Sequence, residues 1–171
     1  MPCTSGGGFP ETLAMGLSGN TSFMSSLKDA AEAGLPIYAE CGGAVYLGKS
    51  LRYDGRDYSL SNVLPVEFGF QEKPKGHGYT VLETVASNPY FPMGESLRGH
   101  EFHYSFMLPP DRDDLSFVFR VRRGFGFDGQ RDGLTRKNVL ASYTHIHALG
   151  AVGWAPSLVQ AAAGFRSEGS R

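Results

Sequence analysis

Between Glu11 and Gly34 the apolar residues Leu13, Leu17, Met24, Leu27, Ala30 and Ala31 recur at roughly helical intervals. The segment ends in "KDAAEAG", whose final glycine suits a helix C-terminus, and the interior "GLSGN" divides it into two helices. Residues 35–39 are a short, continuously apolar run, which predicts a buried strand. That run stops at Glu40-Cys41-Gly42-Gly43, and residues 43–51 read as the start of another helix. Helix, strand, sharp turn, helix is the order of an α/β sheet.

The period changes from Tyr53 onward. "YSLSNVLPVEFGFQ", "GHGYTVLETV", "RGHEFHYSFML" and "LSFVFRVRRG" are rich in β-branched and aromatic residues, bounded by Gly, Pro or Asp, and predict strands. "DGQRDG" (128–133) reads as a turn. "NVLASYTHIHA" reads as one more strand, with His145 and His147 two apart and so on one face. Residues 156–166 predict a short amphipathic helix, and 167–171 a polar tail. No internal repeat or linker interrupts the pattern, so residues 1–171 read as a single domain.

Composition narrows the function classes. A net charge of −1 offers no global attraction to nucleic acid or an anionic membrane. No apolar run is long enough to span a bilayer, and "MPCTSGGGFPE" lacks the regions of a signal peptide. Two cysteines, Cys3 and Cys41, make no disulfide framework, which leaves the cytoplasm as the expected compartment.

Cys41 holds the most chemical interest. A thiol at a tight strand-to-helix turn is exposed at the strand's C-terminal end. There the helix N-terminus stabilises a thiolate, and free backbone N–H groups face a developing oxyanion. Gly42 and Gly43 remove side chains where a substrate must approach. The plain alternative is that Cys41 is a small buried hydrophobe, as free cysteines often are. A nucleophilic thiol needs a base, and "SYTHIHA" supplies two imidazoles.

"GLPIYAECGG" resembles the nucleophile segment of class I, triad-type glutamine amidotransferase domains, in the branch of the cobyrinic acid a,c-diamide synthases. "GGGFPE" (6–11), "RGHEFHYS" (98–105) and "ASYTHIHA" (141–148) resemble three further signatures of that branch in the same order. "KPKGHGYTVLE" and "DGLTRKNVLASYTHIHALG" look closer still to relatives that amidate sirohaem- or sirohydrochlorin-type tetrapyrroles. The resemblance implies a flavodoxin-like three-layer α/β domain, truncated at its N-terminus, with an antiparallel extension. It also implies the C-terminal glutaminase part of a larger synthetase. No cofactor is then expected in this chain, and ATP and Mg belong to an absent synthetase domain. Its partners would be glutamine, an acidic tetrapyrrole acceptor, and that ATP-binding domain or subunit.

Carried over by position, the resemblance makes Cys41 the nucleophile and His145 its base. It makes the N–H groups of Gly42 and of a glycine in Gly6-Gly7-Gly8, here Gly8, the oxyanion hole. Most class I relatives carry glutamate two residues after the histidine, where this chain has His147. The group that orients His145 is therefore open between His147 and Glu40, and Glu40 also reads as an ordinary exposed acid at the corner. In "GHEFHYS", His100, Glu101 and His103 are candidate contacts to the acceptor or the synthetase domain. A histidine-rich zinc site is the alternative for those imidazoles, but H-x-x-H on a strand points its rings to opposite faces, so no metal site is assigned. Arg120, Arg122, Arg123, Arg131, Arg136 and Lys137 read as a solvated strand edge or as partners for acceptor carboxylates. The rival readings of the whole chain are an inactive amidotransferase-like fragment or binding module, and a cysteine hydrolase acting on another amide.

Overall fold

The structure, a computed structural model, describes residues 2–110 and 115–168. Residues 169–171 of the expected polar tail lie outside the described residues.

The N-terminal helical stretch folds as the pattern predicts. A 3-10 turn at Pro10–Leu13 leads into α1 (Ala14–Gly19), and α2 (Thr21–Glu32) follows. The break falls at Asn20, whose side chain accepts from the Phe23 N–H at 3.3 Å and caps α2. α2 buries Met24, Leu27 and Ala31 on one stripe. It ends in a Schellman turn: Gly34 has φ 91°, and the Leu35 N–H bonds the Ala30 carbonyl at 2.9 Å.

β1 (Cys3–Ser5) and β2 (Ile37–Glu40) begin a sheet of eight strands. The others are β6 (Gly76–Thr84), β7 (Ser96–His103), β9 (Ser116–Arg123), β10 (Arg131–Arg136), β11 (Val139–Ser142) and β12 (His145–Ile146). Their order is β1-β2-β11-β10-β9-β6-β7-β12, parallel across β1, β2 and β11 and antiparallel elsewhere. Both faces of β2 are covered, which explains its unbroken apolar run. Ile37 and Ala39 enter a core shared with α2 and with α3 (Gly42–Tyr46). Tyr38 enters a second core with Leu158 and Trp154 of α4 (Trp154–Glu168). This is the expected α/β domain with helices on both faces of the sheet and an antiparallel extension. A second sheet, ordered β4-β3-β5-β8, joins β3 (Ser50–Tyr53), β4 (Arg56–Ser59), β5 (Glu67–Phe70) and β8 (Ser105–Met107).

Three local expectations are corrected. The helix expected over 43–51 ends at Tyr46, and Ser50 already opens β3. The turn expected over 128–133 stops at 130, because Arg131 begins β10, held between β9 and β11. The single strand expected through "NVLASYTHIHA" is split: β11 ends at Ser142 and β12 starts at His145. That split positions the site. β12 pairs with β7 at the far end of the sheet, yet follows β11 by two residues, so the sheet must curl back until its end meets β2.

Candidate active site

Cys41 sits at the corner between β2 and α3 with φ 48° and ψ −108°, a backbone conformation strained for a residue with a Cβ. Two bonds fix the corner: the Cys41 N–H to the Ser142 carbonyl at 2.7 Å, and the Val45 N–H to the Cys41 carbonyl at 3.0 Å. Gly43 lets α3 start close against the end of β1, where an added Cβ would stand 2.6 Å from the Ser5 carbonyl oxygen. The thiol is 5% exposed, and its Sγ lies 3.7 Å from the Phe102 carbonyl oxygen on β7. Cys3 is half-buried on β1, and burial pushes its thiol up.

The curl of the sheet brings His145 to this corner. Its imidazole hydrogen-bonds Cys41, and its Nδ1 lies 3.2 Å from Glu40 Oε2. Glu40 is held in turn: Oε1 accepts from the Tyr38 hydroxyl at 3.0 Å and from the Ile146 N–H at 3.2 Å. The bond to Cys41 first, and the Glu40 carboxylate second, push His145 up to about 10 against the lowering effect of burial. The imidazole therefore carries its proton at neutral pH. On one face the ring stacks on His100, with centroids 5.0 Å apart and planes 23° apart. On the other it rests against Gly7, where a Cβ would overlap Cε1 and stand 3.1 Å from Nε2.

Gly8 and Gly42 lie side by side: a Cβ on Gly42 would stand 2.5 Å from the Gly8 oxygen and 3.0 Å from the Gly8 nitrogen. The Gly43 N–H is used by the Gly6 carbonyl at 3.2 Å. Among the described residues the Gly42 and Gly8 N–H groups have no acceptor within the chain, which leaves both free for a ligand oxygen. Phe9 and Phe102, both partly exposed, meet edge to face at 6.1 Å beside them. An apolar pocket of about 410 Å³ lies behind the glycines, lined by Leu13, Phe23 and Tyr46. It reaches neither Cys41 nor His145, so the chemistry belongs to the Cys41 side of the two glycines.

The structure thus brings together Cys41, His145, Glu40, Gly8, Gly42 and His100. It separates the remaining candidates. His147 lies beyond β12, exposed, with Nδ1 accepting from the Leu149 N–H at 3.2 Å, and the group that meets His145 Nδ1 is the Glu40 carboxylate. Glu101 and His103 are each 2% exposed on the inner face of β7. Glu101 accepts from the Phe125 and Gly126 N–H groups at 2.6 and 2.9 Å. His103 lies 3.4 Å from Glu101, places Nδ1 2.8 Å from the Ser105 carbonyl, and stacks on Tyr143 at 3.8 Å. Neither side chain can touch a large acceptor; both brace the strand that carries Phe102. The basic zone is largely paired locally. Arg120 and Arg122 meet Glu83, Arg131 meets Asp128, and Arg136 and Lys137 meet Glu32. Sequence reasoning missed Asp132, a fully buried carboxylate beside the loop into His145; "DG" inside an expected turn hid it.

A thiol, an imidazolium, a carboxylate that orients it and two free N–H donors make the constellation for acyl transfer through a thioester. Residues 3–152 match the model of the CobB/CobQ-like glutamine amidotransferase domain. The chain is 39% identical over 155 residues to a cobyrinate a,c-diamide synthase of Magnetococcus marinus, covering 91% of this chain and 33% of that protein. It is 40% identical over 144 residues to one of Archaeoglobus fulgidus, covering 84% and 31%. The chain therefore spans about a third of the length of the curated relatives it matches. The fold is shared with a solved glutamine amidotransferase at TM-score 0.66 and 16% identity, over 94% of this chain and 78% of that one. It is shared with another from Thermotoga maritima at TM-score 0.53 and 16% identity, over 91% and 60%. Among the described residues no helix is long and apolar enough to cross a membrane. This chain belongs to the CobB/CobQ-like glutamine amidotransferase domain family.

Proposed function

We propose that the chain hydrolyses glutamine at Cys41 and supplies ammonia for ATP-dependent amidation of tetrapyrrole carboxylates, of the cobyrinate or sirohydrochlorin kind. The observation that carries the hydrolytic half is the strained Cys41 corner bonded to a His145 that Glu40 orients. The thiolate attacks the side-chain amide carbon of glutamine. The Gly8 and Gly42 N–H groups receive the oxyanion of the tetrahedral intermediate. The His145 imidazolium gives its proton to the departing nitrogen, the C–N bond breaks, and ammonia leaves a γ-glutamyl thioester. Neutral His145 then takes a proton from water, hydroxide attacks the thioester, and glutamate departs as the thiolate returns.

The acceptor half rests on the names of the relatives, both cobyrinate a,c-diamide synthases. ATP and Mg would bind a separate synthetase domain or subunit, with the glutaminase reaction assigned to this chain and set in the cytoplasm. Glutamate release from purified protein, with Cys41→Ser as control, tests the hydrolytic half. Turnover that disappears in the variant is the expected result. Equal background rates for both proteins would leave an inert amidotransferase-like module in its place.

A further inference from the structure

We propose that Asp132 is the positioning residue for His145, its carboxylate fixing the corner from Ser142 to Thr144 that carries the imidazole to Cys41 and Glu40. The inference rests on the reading of Cys41 and His145 as the reacting pair. Asp132 lies on β10 with no exposed surface, and the hydrolytic steps above make no use of it. Its oxygens take four bonds. Oδ1 accepts from the Gly133 N–H at 2.8 Å and the Tyr143 N–H at 3.0 Å. Oδ2 accepts from the Ser142 hydroxyl at 2.8 Å and from the Thr144 N–H at 3.2 Å, which the Ser142 hydroxyl oxygen shares at 3.0 Å. Three of the donors belong to consecutive residues, and the next residue is His145.

The need for a carboxylate follows from the path of the chain. After Ser142 the backbone leaves the parallel part of the sheet, and at His145 it joins β7 at the opposite end. Tyr143 and Thr144, both fully buried, cannot offer their N–H groups to water or to a neighbouring strand. An acceptor-only side chain with two oxygens satisfies the whole corner from one point. The carboxylate's own burial is disfavoured, and burial pushes Asp132 up, but the four bonds oppose that rise. Because the corner is tied at three successive residues, the backbone that bears His145 cannot shift without breaking those bonds.

The test is Asp132→Asn. With its NH2 in the Oδ1 place, the Gly133 and Tyr143 N–H groups both lose their acceptor; in the Oδ2 place it opposes the Thr144 N–H, which keeps only the Ser142 hydroxyl oxygen. A displacement of His145 of about 1 Å predicts a fall in kcat for glutamine hydrolysis on the order of 100-fold, with KM changed far less. An independent readout is alkylation by iodoacetamide at pH 7, followed residue by residue with mass spectrometry and with Cys3 as internal reference. Cys41 of the natural chain should react much faster than Cys3, and the variant should lose most of that advantage. Val118→Ala, in a core position on β9 whose side chain makes none of the corner's hydrogen bonds, controls for lost stability. It should lower the melting temperature without changing the labelling ratio. If Asp132→Asn behaves like Val118→Ala in both kcat and labelling, the positioning role is overturned while the catalytic pair stands. If natural Cys41 reacts no faster than Cys3, the catalytic pair itself fails. Should Asp132→Asn not fold, Ser142→Ala removes one donor and predicts a smaller loss of kcat and of the labelling advantage. No change in either would overturn the proposal.

Discussion

Gly7→Ala should abolish most glutaminase activity while leaving the fold intact. Gly7 is absent from the positive-φ residues, so its backbone accepts alanine without strain. The difficulty lies in front of it, where a Cβ would overlap His145 Cε1 and stand 3.1 Å from Nε2 and 3.4 Å from Nδ1. Ordinary carbon contacts begin at about 3.5 Å, so the ring must retreat by about 1 Å. It has little room to do so. His100 is stacked behind it with centroids 5.0 Å apart, and Nδ1 is held at 3.2 Å from Glu40. A displacement of that size at a reacting group costs on the order of 100-fold in rate, or about 2.7 kcal/mol of barrier. The obstacle is a side chain, which can swing away, so the melting temperature should fall only slightly. Glutamate release under saturating glutamine, measured beside a thermal melt, separates the two effects. A variant with kcat within about threefold of the natural chain would refute the idea that Gly7 and His100 confine the imidazole.

Gly42→Ala makes the contrasting case, because its Cβ would stand 2.5 Å from the Gly8 carbonyl oxygen, a backbone atom that cannot swing away. It should lower both activity and the urea midpoint; unchanged stability would contradict the close approach of the two loops. Glu40→Gln should move the alkaline limb of kcat/KM toward lower pH. His145 is pushed up to about 10 by Cys41 and then by Glu40, so removing the carboxylate lets the imidazolium lose its proton sooner. An unmoved alkaline limb would exclude Glu40 as the orienting group. The same shift has a sign in stability. A histidine raised above its unfolded value of about 6.5 contributes fully below that pH, and the contribution fades as pH rises toward about 10. Urea midpoints of the natural chain and of Glu40→Gln should therefore differ most below that window and converge above it. Phe68→Ala should cost about 3–5 kcal/mol in urea unfolding. Its ring is fully buried against Phe127 and Tyr143, and a loss below about 1 kcal/mol would mean that the two sheets do not share one core.

What was legible in the sequence is what local chemistry determines. The strand Ile37-Tyr38-Ala39, the glycines after Cys41 and the divided helix at Asn20 each carry their signal within a few residues. The corner at Cys41 could be read because a strand end, a thiol and a helix start are neighbours in the chain. β10 could not be read that way. "RDGLTR" has no alternation of apolar residues, and Gly133 takes φ 69°; pairing with β9 and β11 makes it a strand. The parity of β7 was visible, setting residues 101 and 103 on the face opposite 100 and 102. Which face is buried was not visible, because the packing of Tyr143 and the loop at Phe125 decides it. His147 misled for a related reason: the two-residue period assumes one strand, and the chain leaves that strand at Tyr143 and Thr144.

The proposed catalytic arrangement depends on that departure. Had β11 run straight on through residue 147, the two histidines would face one side of a strand in the middle of the sheet, beside β2 and β10. The break sends residue 145 to pair with residue 100 instead, and the curl of the sheet returns that edge to the end of β2. Glu40 then meets both the ring of His145 and the N–H of Ile146, so one carboxylate fixes the side chain and the strand that bears it. This explains how the family position two residues after the histidine can be occupied by an exposed His147 here. The acid beside the imidazole comes from the strand of the proposed nucleophile, one residue before the thiol, and it reaches the imidazole only because the curl carries the edge strand β12 to the end of β2.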